Sequence, residues 1–302
     1  MPDPPRFTDP FGNPLPEPGQ HPARRPPREP EPPPPPGGAA PLPSWPLWTA
    51  FVALLGGFIG GSLLGGIVYG VADANGHDPA NAPIGYDLLA NLLLQASLVA
   101  SAVIFARLGG RVSAAAFGLR AVHVGRALLW MVAGYVTYVV LSGIWLTISG
   151  ADDASDDITT RLQDDPSTAT VAGLAVFAVV LAPIVEEVFF RGFVFTAMRS
   201  KLNVAWAAVI SGVMFGAVHA FGSPWQFLVP LSLLGVVLCL IYWKTGSLYP
   251  CIALHALNNC VALSAALDWS WQIPLLMLGS LAAITAILLP ISRLGRRAPA
   301  TA

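Results

Sequence analysis

The residues of this chain that are best suited to chemistry are a few charged and polar side chains that interrupt apolar segments. Of the 17 acidic residues, only Glu186 and Glu187 lie well inside an apolar run, and Arg191 is the one basic residue at a comparable depth. An ionisable group in a bilayer costs about 2.5–3.5 kcal/mol on insertion scales, so it usually faces a polar site and marks a function.

The first motif reads Glu-Glu-x-x-x-Arg. On a helix, Glu187 and Arg191 lie one turn apart and can form an ion pair. Glu186 points about 100° away from that pair and is left as a carboxylate that can act as a general base. A purely structural ion pair is the alternative interpretation, but such a pair would not need the second glutamate.

Two further motifs follow on later apolar segments, Phe215-x-x-x-His219 and His255-x-x-x-Asn259. A single histidine in an apolar helix is more often a packing residue, whereas an asparagine can orient a histidine, hold a water or donate to an oxyanion. Counted from the basic helix ends, Glu186 and His219 lie ~20 and ~22 Å deep, and His255 and Asn259 ~12 and ~18 Å. These overlapping depths predict one shared polar site.

The elements that position these residues are apolar helices. The 302-residue chain is 54% hydrophobic and 11% charged, whereas soluble domains carry about 25% charged residues. We therefore predict an all-α fold, a polytopic transmembrane helix bundle in the cell membrane and in contact with the lipid bilayer. About eight spans are expected, at 47–72, 85–106, 127–149, 169–198, 203–221, 225–243, 248–266 and 272–292.

The basic residues predict the orientation of the bundle. They fall in alternate loops and in both terminal segments, while the opposite loops are rich in aspartate and contain only Arg161 as a base. Lysine and arginine mark the cytoplasmic side, so both termini are expected to be cytoplasmic. The net charge of -1 argues against a nucleic-acid partner.

Three regions are expected along the chain. Residues 1–44 are dominated by proline and are predicted to be a disordered cytoplasmic tail. Residues 45–292 form the transmembrane domain, and residues 293–302 form a short basic cytoplasmic tail.

The three motifs, in this order on successive apolar helices, resemble those of the CPBP family. This family contains CAAX prenyl endoproteases and bacteriocin-processing enzymes and is also called the ABI family. The resemblance covers about 105–265, and its motifs lie within 183–259. It implies an intramembrane endopeptidase that acts on a membrane-associated peptide or protein.

The resemblance also implies roles for the individual residues. Glu186 together with His219 would activate a water for attack on a peptide carbonyl. His255 and Asn259 would stabilise the oxyanion or position the substrate. Supporting roles would fall to the remaining motif residues, which are Glu187, Arg191 and Phe215.

A metal is an open alternative, because members of this family are often labelled metalloproteases. Glu186, His219 and His255 can form a three-ligand zinc site with one open position. The sequence contains no HExxH pair, however, so we favour a metal-independent scheme in which no cofactor is certain and zinc is the alternative.

Two other functions compete with the protease. The first is a non-catalytic membrane scaffold or bacteriocin-immunity protein that uses the polar cluster to bind a partner. The second is a proton-coupled transporter, since intramembrane Glu and His also form proton relays. The lack of inverted repeats and of paired interrupted spans argues against the transporter.

Overall fold

The computed structural model describes residues 45–109, 112–151 and 154–294, and within these ranges the chain folds into helices with no strand. Apolar chains cross membranes as helices because a helix satisfies its backbone N–H and C=O groups internally. The predicted all-α class is confirmed. The helices are α1 Leu47–Ala74, α2 Ile84–Arg107, α3 Val124–Ser149, α4 Asp157–Asp164, α5 Thr168–Arg199, α6 Val204–Val218, α7 Trp225–Thr245, α8 Tyr249–Ala266 and α9 Ile273–Leu294.

Seven of these helices are long and apolar enough to cross a membrane, so the protein is a multi-pass membrane protein. The expected eighth span, α8, is also a helix, but its 18 residues include His255, Asn258 and Asn259, which lower its mean hydropathy below that of the other seven. The cytoplasmic location of both termini stays a prediction. The proline-rich segment 1–44 and residues 295–302 of the C-terminal tail lie outside the described residues.

Exposed aromatic side chains mark the two ends of the bundle. Three tryptophans near helix ends on the predicted cytoplasmic side are 45–62% exposed, namely Trp48, Trp206 and Trp243. On the opposite side, Phe221, Trp225 and Trp271 are 58–87% exposed. Aromatic residues concentrate at both membrane–water interfaces, so this distribution agrees with a bundle that spans the bilayer.

Helix α5 carries the first motif and is not a uniform α-helix. Two π-helical segments, Phe177–Leu181 and Val188–Phe195, flank the short α-helical stretch Ala182–Glu187 that holds both glutamates. Pro183 in that stretch has no N–H, so a carbonyl about one turn earlier loses its helical donor. Side chains of other helices bond to the carbonyls of that turn, and π segments of this kind occur frequently at functional sites.

Small residues allow α6 and α7 to pack closely. A Cβ atom added at Gly212 would lie 2.7 Å from the backbone nitrogen of Val236 and 2.8 Å from the carbonyl oxygen of Ser232. One added at Gly235 would lie 2.7 Å from the Cα atom of Gly212. Helices in lipid associate through van der Waals contact between such small residues. The crossing also fixes the backbone of Gly235, whose carbonyl bonds to Arg191.

We expect Gly212→Ala to destabilise the bundle by about 1–3 kcal/mol, because its methyl group meets the backbone of α7 and the helices must move apart. Thermal unfolding in detergent measures the effect. Gly143→Ala is the matched control, since no atom lies within 4 Å of the added Cβ on this lipid-facing glycine. Equal melting temperatures for the two variants would contradict the close crossing.

Candidate active site

The centre of the site is a charged group that is closed off from solvent. Glu187 and Arg191 are 0% exposed, and the Arg191 Nη1 donates to the Glu187 Oε1 at 2.8 Å. The Nδ1 of His255, on α8, lies 2.8 Å from the same carboxylate oxygen. The ion pair expected between Glu187 and Arg191 is therefore present, and it is shared with a histidine of another helix.

Phe215 of the second motif packs against this charged group. The guanidinium carbon of Arg191 lies 4.5 Å from the centre of the Phe215 ring, and the His255 ring meets Phe215 edge-on at 5.6 Å. A cation over an aromatic face is stabilised by the ring quadrupole, most strongly when desolvated. The Nη2 of Arg191 also donates to the Gly235 carbonyl at 3.3 Å. Phe215 thus lies where a supporting residue was expected.

The bond to Glu187 fixes which nitrogen of His255 is basic. A carboxylate only accepts hydrogen bonds, so the Nδ1 of His255 must carry a hydrogen. This N–H donates a hydrogen bond to Glu187. The Nε2 of His255 is then directed towards Glu186, with 3.9 Å between it and the Glu186 Oε2. This separation is too long for a direct hydrogen bond, but one water can contact both atoms.

Glu186 differs from its neighbour in exposure and in partner. Its side chain is 13% exposed, and its Oε1 accepts a hydrogen bond at 3.1 Å from the Nε2 of Gln95 on α2. Gln95 was not among the residues predicted from the sequence, because it lies on α2, outside the three motifs. The signal was available, since Gln95 is a glutamine in the middle of an apolar span.

Asn259 lies one turn beyond His255 on α8 and anchors that helix to α5. Its Nδ2 donates to the Ala178 carbonyl at 2.8 Å, and the Ser280 hydroxyl of α9 donates to the Val179 carbonyl at 2.6 Å. Both carbonyls belong to the turn that precedes Pro183. Asn259 therefore joins α8 to α5. The second N–H of its amide nitrogen remains available to donate to another acceptor.

The contacts of His219 are with Phe215. The histidine follows the end of α6, and its Nδ1 donates to the Phe215 carbonyl at 2.7 Å, which leaves its Nε2 as the basic nitrogen. The His219 ring packs against Phe215, with the ring centres 4.9 Å apart. Within the described part of the chain, no hydrogen bond or ion pair joins His219 to Glu186, and the joint action of the two residues on a water stays a prediction.

A catalytic zinc ion needs about three protein donors that converge on one point. Among residues 45–109, 112–151 and 154–294, no group of three or more His, Cys, Asp or Glu side chains is arranged to hold one. Of the three expected ligands, Glu186 and His255 lie close together, while His219 bonds to the Phe215 carbonyl. The arrangement of the described residues does not fit the three-ligand zinc site.

Comparison with known proteins supports the resemblance given by the motifs. Residues 168–261 match the family model described as type II CAAX prenyl endopeptidase Rce1-like. The chain is also similar to the protein named "Putative membrane peptidase YdiL" of Bacillus subtilis (strain 168), with 27% identity over 140 residues. That match covers 45% of this chain and 55% of the relative, so the chain spans about half of the relative's length. No solved structure matches the chain.

We expect Arg191→Met to destabilise the protein by about 3–5 kcal/mol, because it leaves the Glu187 carboxylate buried without its cation. The double variant Glu187→Gln with Arg191→Met should regain part of that loss, since it removes both charges. Chemical unfolding in detergent measures both effects.

The control for this prediction is Arg161→Met, which removes a partly exposed ion pair of 3.5 Å with Asp87 together with a hydrogen bond to the Ala82 carbonyl. Partly exposed pairs contribute roughly 0–1 kcal/mol. An Arg191→Met protein as stable as wild type would show that the buried pair does not stabilise the fold.

Proposed function

We propose that this protein is an intramembrane endopeptidase in which Glu186 activates a water for hydrolysis of a peptide bond in a membrane-associated substrate. The observation that carries the proposal is the placement of the two carboxylates. Glu187 is fully buried and bonded to a cation and a histidine, whereas Glu186 is partly exposed and its Oε2 faces the Nε2 of His255. Of the two glutamates, Glu186 is the one with the solvent access that a general base needs.

The proposed reaction is a hydrolysis in which every proton is accounted for. A water held between the Glu186 Oε2 and the His255 Nε2 gives a proton to Glu186, and its oxygen attacks the carbonyl carbon of the scissile bond. The tetrahedral intermediate then collapses with cleavage of the C–N bond. Glu186 returns its proton to the leaving nitrogen, so the products are a carboxylic acid and an amine.

The neighbouring groups are proposed to stabilise charge during this reaction. Glu187 orients His255 by accepting its Nδ1–H, so that the Nε2 can accept a hydrogen bond from the attacking water. Asn259 can donate its second N–H to the developing oxyanion. His219, with its Nε2 unprotonated, is proposed to act when substrate brings it into contact with the reacting groups, as a proton acceptor or through a bound water.

The proposed reaction is metal-independent. Its support is that no three His, Cys, Asp or Glu side chains among the described residues are grouped as metal ligands. A bound divalent cation would act as a Lewis acid on the water or on the carbonyl. Glu186 and His255 would be its protein ligands, and these two side chains alone fall short of the three that catalytic zinc sites usually provide. We therefore propose that the Glu186 carboxylate activates the water without a metal ion.

We expect Glu186→Gln to reduce cleavage by at least about 1000-fold, because an amide cannot take the proton from water. The substrate is found by comparing membrane proteomes of cells that carry wild type or Glu186→Gln, in which an uncleaved precursor should accumulate. That precursor is then tested with the purified proteins in lipid vesicles.

Asp164→Asn is the matched control for this experiment, since it makes the same chemical change on the exposed helix α4. Cleavage of the precursor by Glu186→Gln at the wild-type rate would refute the assignment. Protection against a toxic peptide that survives in Glu186→Gln, with no precursor detected, would favour an immunity or scaffold function.

Metal dependence has its own expected outcome. We expect the purified protein to contain less than about 0.1 zinc per chain and to keep its activity after dialysis against a strong chelator. Elemental analysis and the cleavage assay on the same sample measure both quantities. Stoichiometric zinc whose removal abolishes activity, and whose return restores it, would overturn the metal-independent scheme.

A further inference from the structure

Gln95 is a buried polar side chain with no part in the motifs. It lies midway along α2, outside the matched segment 168–261, and is 7% exposed. Its Nε2 donates to the Glu186 Oε1 at 3.1 Å, across 91 residues of sequence. It is the residue of α2 that bonds to a carboxylate of the site.

Chemistry fixes the orientation of the Gln95 amide. Because a carboxylate presents only acceptors, the amide must direct its NH₂ group towards Glu186 and its oxygen away from it. That oxygen, the Gln95 Oε1, is buried and accepts no hydrogen bond from the described residues. Within the described residues, the NH₂ group of Gln95 therefore has a hydrogen-bond partner and its amide oxygen has none.

The surroundings of Gln95 are apolar. Together with Leu92, Val99, Leu181 and Val185 it lines a groove of about 560 Å³ between α2 and α5, and among the described residues that line this groove Gln95 is the polar one. Burying an amide with an unpaired oxygen among aliphatic side chains disfavours folding, and an apolar residue of similar size would fill this space without that penalty. Packing alone does not account for a glutamine here.

The bond from Gln95 has a directional effect on Glu186. It engages the Oε1, so the other oxygen of the same carboxylate, the Oε2, is the one that faces His255 at 3.9 Å. The donor is neutral, so it orients the carboxylate without neutralising it as a lysine or arginine would. Glu187, in contrast, is held by the cation Arg191.

We infer that Gln95 is a positioning residue, which holds the Glu186 carboxylate with its Oε2 towards His255 and the reacting water. This inference rests on the proposed role of Glu186 as the base. Misplacement of a base by a fraction of an ångström lowers the rate of the chemical step more than it changes substrate binding.

The test compares Gln95→Leu, Gln95→Glu and Asn91→Leu with wild type, with the precursor as substrate in lipid vesicles. We expect Gln95→Leu to lower kcat by about 10- to 100-fold and to leave KM within about 2-fold. Its melting temperature in detergent should stay within about 4 °C of wild type, since the unpaired amide oxygen is lost along with the bond. Asn91→Leu is the matched polar-to-apolar control on α2, because Asn91 is exposed and bonds only to its own helix.

Gln95→Glu gives a signature that a packing role would not produce. A protonated carboxyl at this position can donate to Glu186 as the amide does, whereas an ionised one repels it. Glu186 faces the new group directly, with His255, Glu187 and Arg191 behind it. We expect the kcat of this variant, relative to wild type, to fall by at least about 10-fold between pH 5 and pH 8.

The outcomes separate the two proposals. Cleavage that survives in Glu186→Gln overturns the proposed function and the role of Gln95 with it. Loss of cleavage in Glu186→Gln, combined with wild-type kcat in Gln95→Leu, overturns the positioning role alone. A Gln95→Leu protein whose kcat falls only in proportion to a loss of folded protein, with no pH dependence in Gln95→Glu, assigns Gln95 to packing and also overturns the inference.

Discussion

The structure depends on one buried interaction, the ion pair between Glu187 and Arg191. In a low-dielectric interior an unpaired charge is very costly, so each of these side chains requires the other. Their contacts extend the pair to three further helices, through Phe215 of α6, the Gly235 carbonyl of α7 and the His255 ring of α8. A change in the position of Arg191 would disturb all four helices at once, and this is why the close crossing of α6 and α7 matters for the site.

The irregular winding of α5 makes those contacts between helices possible. A regular helix uses its carbonyls internally and offers little to its neighbours in lipid. The π segment and Pro183 leave carbonyls on α5 that Asn259 and Ser280 can bond, so α8 and α9 are joined to the helix that holds the glutamates. The position of His255 opposite Glu186 follows in part from this anchoring, because His255 and Asn259 lie on one face of α8.

The sequence predicted the helical class, the membrane location and the polar cluster, because ionisable groups are costly in lipid and stand out in apolar runs. The ion pair of Glu187 with Arg191 was predictable since it is local to one helical turn. The choice between His219 and His255 as the neighbour of Glu186 was not, because it depends on how α6 and α8 pack against α5. Gln95 was missed for a different reason, since it lies on α2, outside the three motifs and outside the segment that resembles the family.

The two adjacent carboxylates illustrate how a membrane interior can bury one acid in an ion pair and leave its neighbour partly exposed. Glu187 has a cation and an imidazole as partners and no contact with solvent, so any step that protonated it would leave Arg191 unpaired. Glu186 has one neutral donor and partial exposure, so it can gain and lose a proton without breaking the buried pair. The first carboxylate stabilises the fold, and the second is free of the buried ion pair, as the general base that we propose must be before its substrate binds.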